Sequence, residues 1–212
     1  MNIIRANIND TDMFDTKELG YGACCFYTED KLNHYYFKIH GREATLYTNS
    51  EKHINEAIEE FLYYSNFIIC IKMPDGSILR KQEPKSLKLL DILSIQPSQF
   101  YINEKKLSSC KEWIKDSKDV MIPVANINGR VVSLDGHTRL RAANDLGYTE
   151  VYTYLDDCSE YIESFVDKAI DRNILNVLDM LILSDEEYDL RWNKYCEDYF
   201  ENKFSSTKDL DP

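Results

Sequence analysis

The chain has 212 residues, 43% hydrophobic and 29% charged, a balance normal for a globular protein of one large domain or an ordinary domain with additions. No run approaches the ~18–20 apolar residues of a membrane span, and the start lacks the basic-then-apolar layout of a signal peptide, so a cytoplasmic protein is expected. The net charge of −12 is uneven: residues 1–83 carry 9 Lys/Arg against 13 Asp/Glu, residues 84–155 carry 10 against 8, and residues 156–212 carry 6 against 16. Duplex DNA repels so acidic a chain, which argues against sequence-specific DNA binding; a small phosphorylated ligand needs only a local basic site.

In chain order, residues 23–28, 34–39 and 44–48 are rich in aromatic and β-branched residues and predict strands. Ser50 is expected to open a helix with Ile54, Ala57, Ile58, Phe61 and Leu62 at helical spacing. Residues 67–72 and 77–81 predict a hairpin around Pro74-Asp75-Gly76. This makes an N-terminal α+β extension over residues 1–83, with Glu83-Pro84-Lys85 as the joint. The six cysteines show no C-x-x-C pair, so free thiols are expected rather than a structural zinc site. His34, His40 and His53 have no motif context and are read as surface residues.

Beyond the joint, residues 89–95 are apolar and Pro97 marks a turn. Asn103 is placed to cap a helix reaching about Asp116. Residues 122–127 and 130–134 face each other across Asn128-Gly129, the strongest short hairpin signal available. A short helix after Asp135-Gly136 is expected to run to Leu146, with Gly147 ending it in the left-handed conformation, and residues 151–155 form a strand. The remainder, 156–212, predicts an acidic helical tail. Ser159 precedes Tyr161, Phe165, Ala169 and Ile170, and Ser184 with Glu187 is a capping-box pattern. Tyr188, Trp192, Tyr195 and Tyr199 form an aromatic stripe that reads as a packing face. Residues from about 205 onward are expected to fray.

The segment that carries chemistry is residues 131–147. A strand ends at Leu134, Gly136 lets a ligand approach the main chain, and the next helix points its free N–H groups and positive dipole end at the loop. Arg139 in the first turn is a phosphate ligand or a surface ion pair. Asp135 is a metal-associated carboxylate or a turn residue, and Thr138 a phosphate donor or helix cap. His137 is a phosphate donor, a proton shuttle or a structural residue. Gln99 and Tyr101 are placed at the pocket mouth, and Arg141 is expected to be exposed.

The pattern Gly136-x-x-Arg139-x-x-Ala142, with the strand pair before it and Pro97 upstream, resembles the ParB/sulfiredoxin-like superfamily (ParB-like nuclease domain) over about residues 86–155. The spacing Asp179, Tyr188, Trp192, Cys196 resembles the segment downstream of this module in bacterial members. The resemblance implies an α/β fold, with a phosphate-binding module at residues 84–155. His137 stands where sulfiredoxins carry the attacking cysteine, so sulfiredoxin activity is not expected. The acidic tail is unlike the basic DNA-binding part of ParB. Asp135-Gly136-His137-Thr138-Arg139 is closest to the ADP-dependent free-serine kinase branch, differing at Thr138. That branch implies a glutamate base near Pro97, where this chain has Ser98 and Gln99; Glu104 is the nearest carboxylate. The expected site is therefore Asp135, His137 and Glu104 as catalytic residues and Gly136, His137, Thr138 and Arg139 around phosphate. The implied cofactor is Mg²⁺ with ADP, ATP or CTP, and the acceptor a small hydroxyl metabolite. The alternatives are a non-catalytic nucleotide-sensing or protein-interaction module, whose acidic tail docks a partner, and a ParB-like nuclease.

Overall fold

The computed structural model describes residues 2–6, 10, 12–15, 18–19 and 24–208, with side chains through Glu201. The protein is mixed α/β, built on three sheets. The first sheet has the order β1-β2-β3-β4-β5-β6, from β1 (Ile3–Arg5), β2 (Cys25–Thr28), β3 (His34–His40), β4 (Glu43–Thr48), β5 (Cys70–Lys72) and β6 (Ile78–Lys81). All its neighbours are antiparallel except β4 and β5, which α1 (Ile54–Tyr64) connects. Helix α1 buries Ala57, Ile58, Phe61 and Leu62, and Phe61 stacks on Phe37 of β3 at 4.1 Å. Ser50 does not cap it: its Oγ accepts the Lys52 N–H in the preceding turn, and His53 stands at the N-cap. The predicted hairpin forms, with Asp75 Oδ1 accepting from the Ser77 N–H and hydroxyl. Ala23, expected to begin β2, lies outside the described residues.

The second sheet has the order β7-β12-β10-β11-β8, from β7 (Leu87–Asp91), β8 (Gln96–Pro97), β10 (Met121–Ile127), β11 (Arg130–Ser133) and β12 (Glu150–Leu155). Strands β10 and β11 pair Ile127 with Arg130 across Asn128 and Gly129, both at positive φ as a tight hairpin turn requires. Strand β10 runs parallel to β12, the return made through α3 (His137–Asp145). Gly147 ends that helix at φ 89°, and the Tyr148 N–H bonds back to the Ala143 carbonyl. Pro97, expected in a turn, ends β8 and pairs with Ser133.

The alternating faces of this second sheet weld the joint shut. Ile122, Val124 and Val151 face a core shared with α2 (Glu104–Trp113) and α3, while Met121 and Tyr154 are buried with Phe37, Phe61 and Phe67 of the N-terminal unit. Lys85 pairs with Asp156 at 2.6 Å, and Arg42 donates to the Lys85 carbonyl.

The tail is not purely helical. After α4 (Tyr161–Asp171), Leu181–Leu183 forms β13, parallel to β9 (Tyr101–Asn103) as the third sheet. The chain then runs through α5 (Asp185–Tyr188), a π-helical turn over Asp189–Asn193, and α6 (Lys194–Lys208). Ser184 caps α5, and Trp192 and Tyr195 pack edge-on against Phe100, a core-facing stripe. Residues 205–208, expected to fray, continue α6, and residues 209–212 lie outside the described residues. Arg141, expected to be exposed, is half-buried: it pairs with Asp145 and donates to the Val177 and Met180 carbonyls, tying the tail to α3.

Candidate functional site

A cavity of about 240 Å³ lies between the N-terminal unit and the second sheet, over the Asp135–Arg139 loop. Its floor is Asp135, Gly136, His137, Thr138 and Arg139. Arg5, Tyr64, Ser65 and Phe67 line it from the N-terminal unit, Lys106, Cys110 and Trp113 from α2, and Gln99 and Tyr188 close one side.

Gly136 is the N-cap of α3 at φ 81°, a left-handed conformation that a side chain adopts only at a cost. A Cβ there would come within 2.7 Å of Ile122 Cδ1 and about 3.0 Å of the Arg139 guanidinium. No side chain caps the helix, so Thr138 does not take the capping role. The first-turn residues His137, Thr138 and Arg139 line the cavity, at the helix end that carries the free N–H groups and the positive end of the dipole.

Arg139 folds back over Gly136, donating to Asp135 Oδ2 at 3.0 Å and to the Met121 carbonyl at 3.1 Å. These bonds hold the guanidinium flat against the loop and leave it further donors. The Asp135 side chain is 65% exposed and lines the cavity. Being surrounded by protein pushes its carboxyl up; Arg139, the Gly136 N–H and Arg5 outweigh this, and the group stays below the ordinary carboxylate value.

His137 is buried, and its Nε2 accepts the Ser98 N–H at 3.1 Å, which puts the ring proton on Nδ1. The Ser98 hydroxyl donates to the Ser133 carbonyl at 2.7 Å. Burial lowers the His137 pKa to about 4, Arg139 adding in the same direction against the pull of Asp135. The imidazole is therefore neutral, and it staples the turn after Pro97 to the chemical loop. In this geometry the ring positions the loop against the turn after Pro97.

No protein-family model matches this chain, and no curated protein does. Among solved structures, protein Atu1540 from Agrobacterium tumefaciens is similar over 47% of this chain and 63% of that one, at 14% identity and a TM-score of 0.33. The chain thus spans less than two thirds of that protein's length.

The expected residues divide. Asp135, Gly136, His137, Thr138, Arg139 and Gln99 meet at the cavity, where Gln99 Nε2 donates to the Tyr188 hydroxyl at 2.9 Å. Glu104 does not. It is exposed in the first turn of α2, two residues before Lys106, which puts it roughly 160° around the helix from the cavity-lining face. Tyr101 is also outside the lining, because its backbone pairs with Leu181 and its ring packs against the core. Residues that the sequence did not flag are Arg5, Lys106 and Tyr64. Lys106, Cys110 and Trp113 recur at steps of four and three along α2, a pattern visible once a helix starting at Asn103 is accepted. Arg5 and Tyr64 had no local signal, because packing between distant segments brings them here.

Proposed function

We propose that this protein binds a small phosphorylated ligand, such as a nucleotide, in the cavity over a ParB/sulfiredoxin-like module at residues 84–155. The observation that carries the reading is the N-terminus of α3: uncapped by any side chain, opened by Gly136 at φ 81°, flanked by Arg139 and facing a cavity. Backbone N–H groups and a guanidinium converging on one hollow form an anion site. The chemistry favoured is transfer or hydrolysis of a terminal phosphoryl group, in which positioning and electrostatic stabilisation do most of the work.

Mg²⁺ fits in a restricted way. Asp135 is a carboxylate on the cavity floor, but among the described residues no group of three or more His, Cys, Asp or Glu side chains is placed to hold a metal. A magnesium ion would be held by Asp135 together with the phosphates of the ligand itself, where it would neutralise charge on the transferring group. Asp135 would then orient the ion, and Arg139 the phosphate.

A second reading, a nucleotide-sensing module without turnover, is favoured by a specific observation. The two carboxylates lining the cavity among the described residues are engaged, Asp135 by Arg139 and Asp119 by the Lys115 and Asp116 N–H groups, while burial keeps His137 neutral and its Nε2 accepts the Ser98 N–H. Neither reading needs DNA, and the net charge of −12 disfavours it. No helix among the described residues is long and apolar enough to cross a membrane. The test is calorimetry with ADP, ATP and CTP, with and without Mg²⁺, followed by product detection with serine and other hydroxyl metabolites. Binding with turnover supports the enzyme, binding without turnover supports the sensor, and no binding rejects both.

A further inference from the structure

The cavity holds more positive charge than a single phosphate position explains. Its described lining carries Arg5, Lys106, Lys118 and Arg139 against Asp119 and Asp135, a surplus of two positive charges in a chain whose net charge is −12. Arg139 is paired with Asp135, whereas Arg5 and Lys106 have no ion-pair partner among the described residues. Each is positioned by an aromatic ring instead: the Arg5 guanidinium lies 4.3 Å from the Tyr64 centroid and Lys106 Nζ 5.4 Å from that of Tyr188. Arg5 is the last residue of β1, fixed as the Ala6 N–H bonds to the Cys25 carbonyl, so the first sheet aims it at the loop.

Resting on the phosphate reading above, we infer that the N-terminal unit completes the ligand site: Arg5 and Lys106 form a second anion-binding position beside the α3 N-terminus, for a ligand with two separated anionic groups. The first group lies at Gly136–Arg139, and the second, a phosphate or a carboxylate, bridges β1 and α2. Burial and then Arg5 hold Lys106 below its ordinary value, against the pull of Asp185 and Asp135, so the two cations feel one another. Like charges held this way without an anion between them are a standing cost, which a bound anion removes.

The experiment is calorimetry on the full chain with inorganic phosphate, pyrophosphate and phosphoglycolate as probes. Wild type should bind a doubly anionic probe about tenfold or more tightly than phosphate, pyrophosphate leading if the second group is a phosphate and phosphoglycolate if it is a carboxylate. Arg5→Gln should remove most of that preference while phosphate affinity moves less than about twofold. Lys106→Gln, replacing a side chain that makes no hydrogen bond among the described residues, should do the same, and Arg80→Gln, paired with Glu59 away from the cavity, should change nothing. A preference that survives in both folded variants overturns the inference, as does wild type that binds phosphate but prefers neither probe. Wild type that binds none of the three overturns the phosphate reading and this inference with it.

Discussion

The Nε2 atom of His137 accepts the backbone N–H of Ser98 at 3.1 Å, joining the turn after Pro97 to the first residue of α3. A histidine in the middle of a chemical motif is thus spent on holding two segments together, and the consequence is a pH dependence. The folded pKa of about 4 lies below the ordinary 6.5, so the unfolded chain takes up the proton first. The stability His137 contributes is fully present above pH 6.5 and falls away as pH drops toward 4, by about 3 kcal/mol in all. Urea unfolding of wild type and His137→Gln between pH 7 and 4 should converge as pH falls; curves that stay parallel would contradict this.

Gly136→Ala should destabilise the protein by about 2 kcal/mol or more. The left-handed backbone costs an alanine roughly 1–2 kcal/mol, and its Cβ would push Ile122 Cδ1 and Arg139 aside. Thermal or urea melts read this directly, and a loss below about 0.5 kcal/mol would mean that the loop relaxes freely.

Arg139→Ala should weaken phosphate binding by about 1.5–3 kcal/mol, the worth of a charge-assisted pair. Arg139→Lys should restore little, because a lysine cannot hold Asp135 and the Met121 carbonyl while facing a ligand. Calorimetry on the two variants decides; full affinity in either would remove the guanidinium fork from the site.

Glu104→Gln should leave both ligand affinity and any turnover unchanged, since Glu104 sits on the far side of α2 from the cavity. Asp135→Asn should alter the Mg²⁺ dependence of nucleotide binding, because it removes a carboxylate from the cavity floor. Turnover abolished by Glu104→Gln would show that α2 rotates or that the reaction occurs elsewhere.

Arg141→Ala should free the segment that precedes β13. Its guanidinium donates to the Val177 and Met180 carbonyls, two main-chain groups that would otherwise lack this partner. The loss should be about 1–3 kcal/mol, seen as faster hydrogen exchange at Ile182 and Leu183. Unchanged exchange there would assign the clamp to other contacts.

Local chemistry explains what the sequence made legible. Asn128-Gly129, Asn103 and Gly147 each act within four residues of themselves, and each forms the turn or cap expected of it. Gly136 was readable for the same reason. The three-residue strands β1 and β13 were not, because three residues carry no measurable alternation. Thr138 reads as a cap only if the helix begins two residues later than it does; Gly136, already at the N-cap, takes that place. Glu104 was proposed from its distance along the chain, whereas helical rotation decides which way it faces. Arg5 reaches the cavity only because β10 and β12 share a core with the first sheet, a relationship between residues more than a hundred positions apart.

The parallel pairing of Tyr101 with Leu181 and Ile102 with Ile182 makes the segment after residue 171 a partner in folding for the middle of the chain. Phe100 packs against the rings of Tyr101, Trp192 and Tyr195, with Arg172 over its face at 4.2 Å. A chain shortened at Leu155 would therefore strip the cover from Phe100 and leave β9 as a bare edge, the kind of surface that recruits other strands. Such a fragment should collect as aggregates, and an insertion tolerated on the Asn128-Gly129 tip would be lethal to folding if moved between α4 and β13.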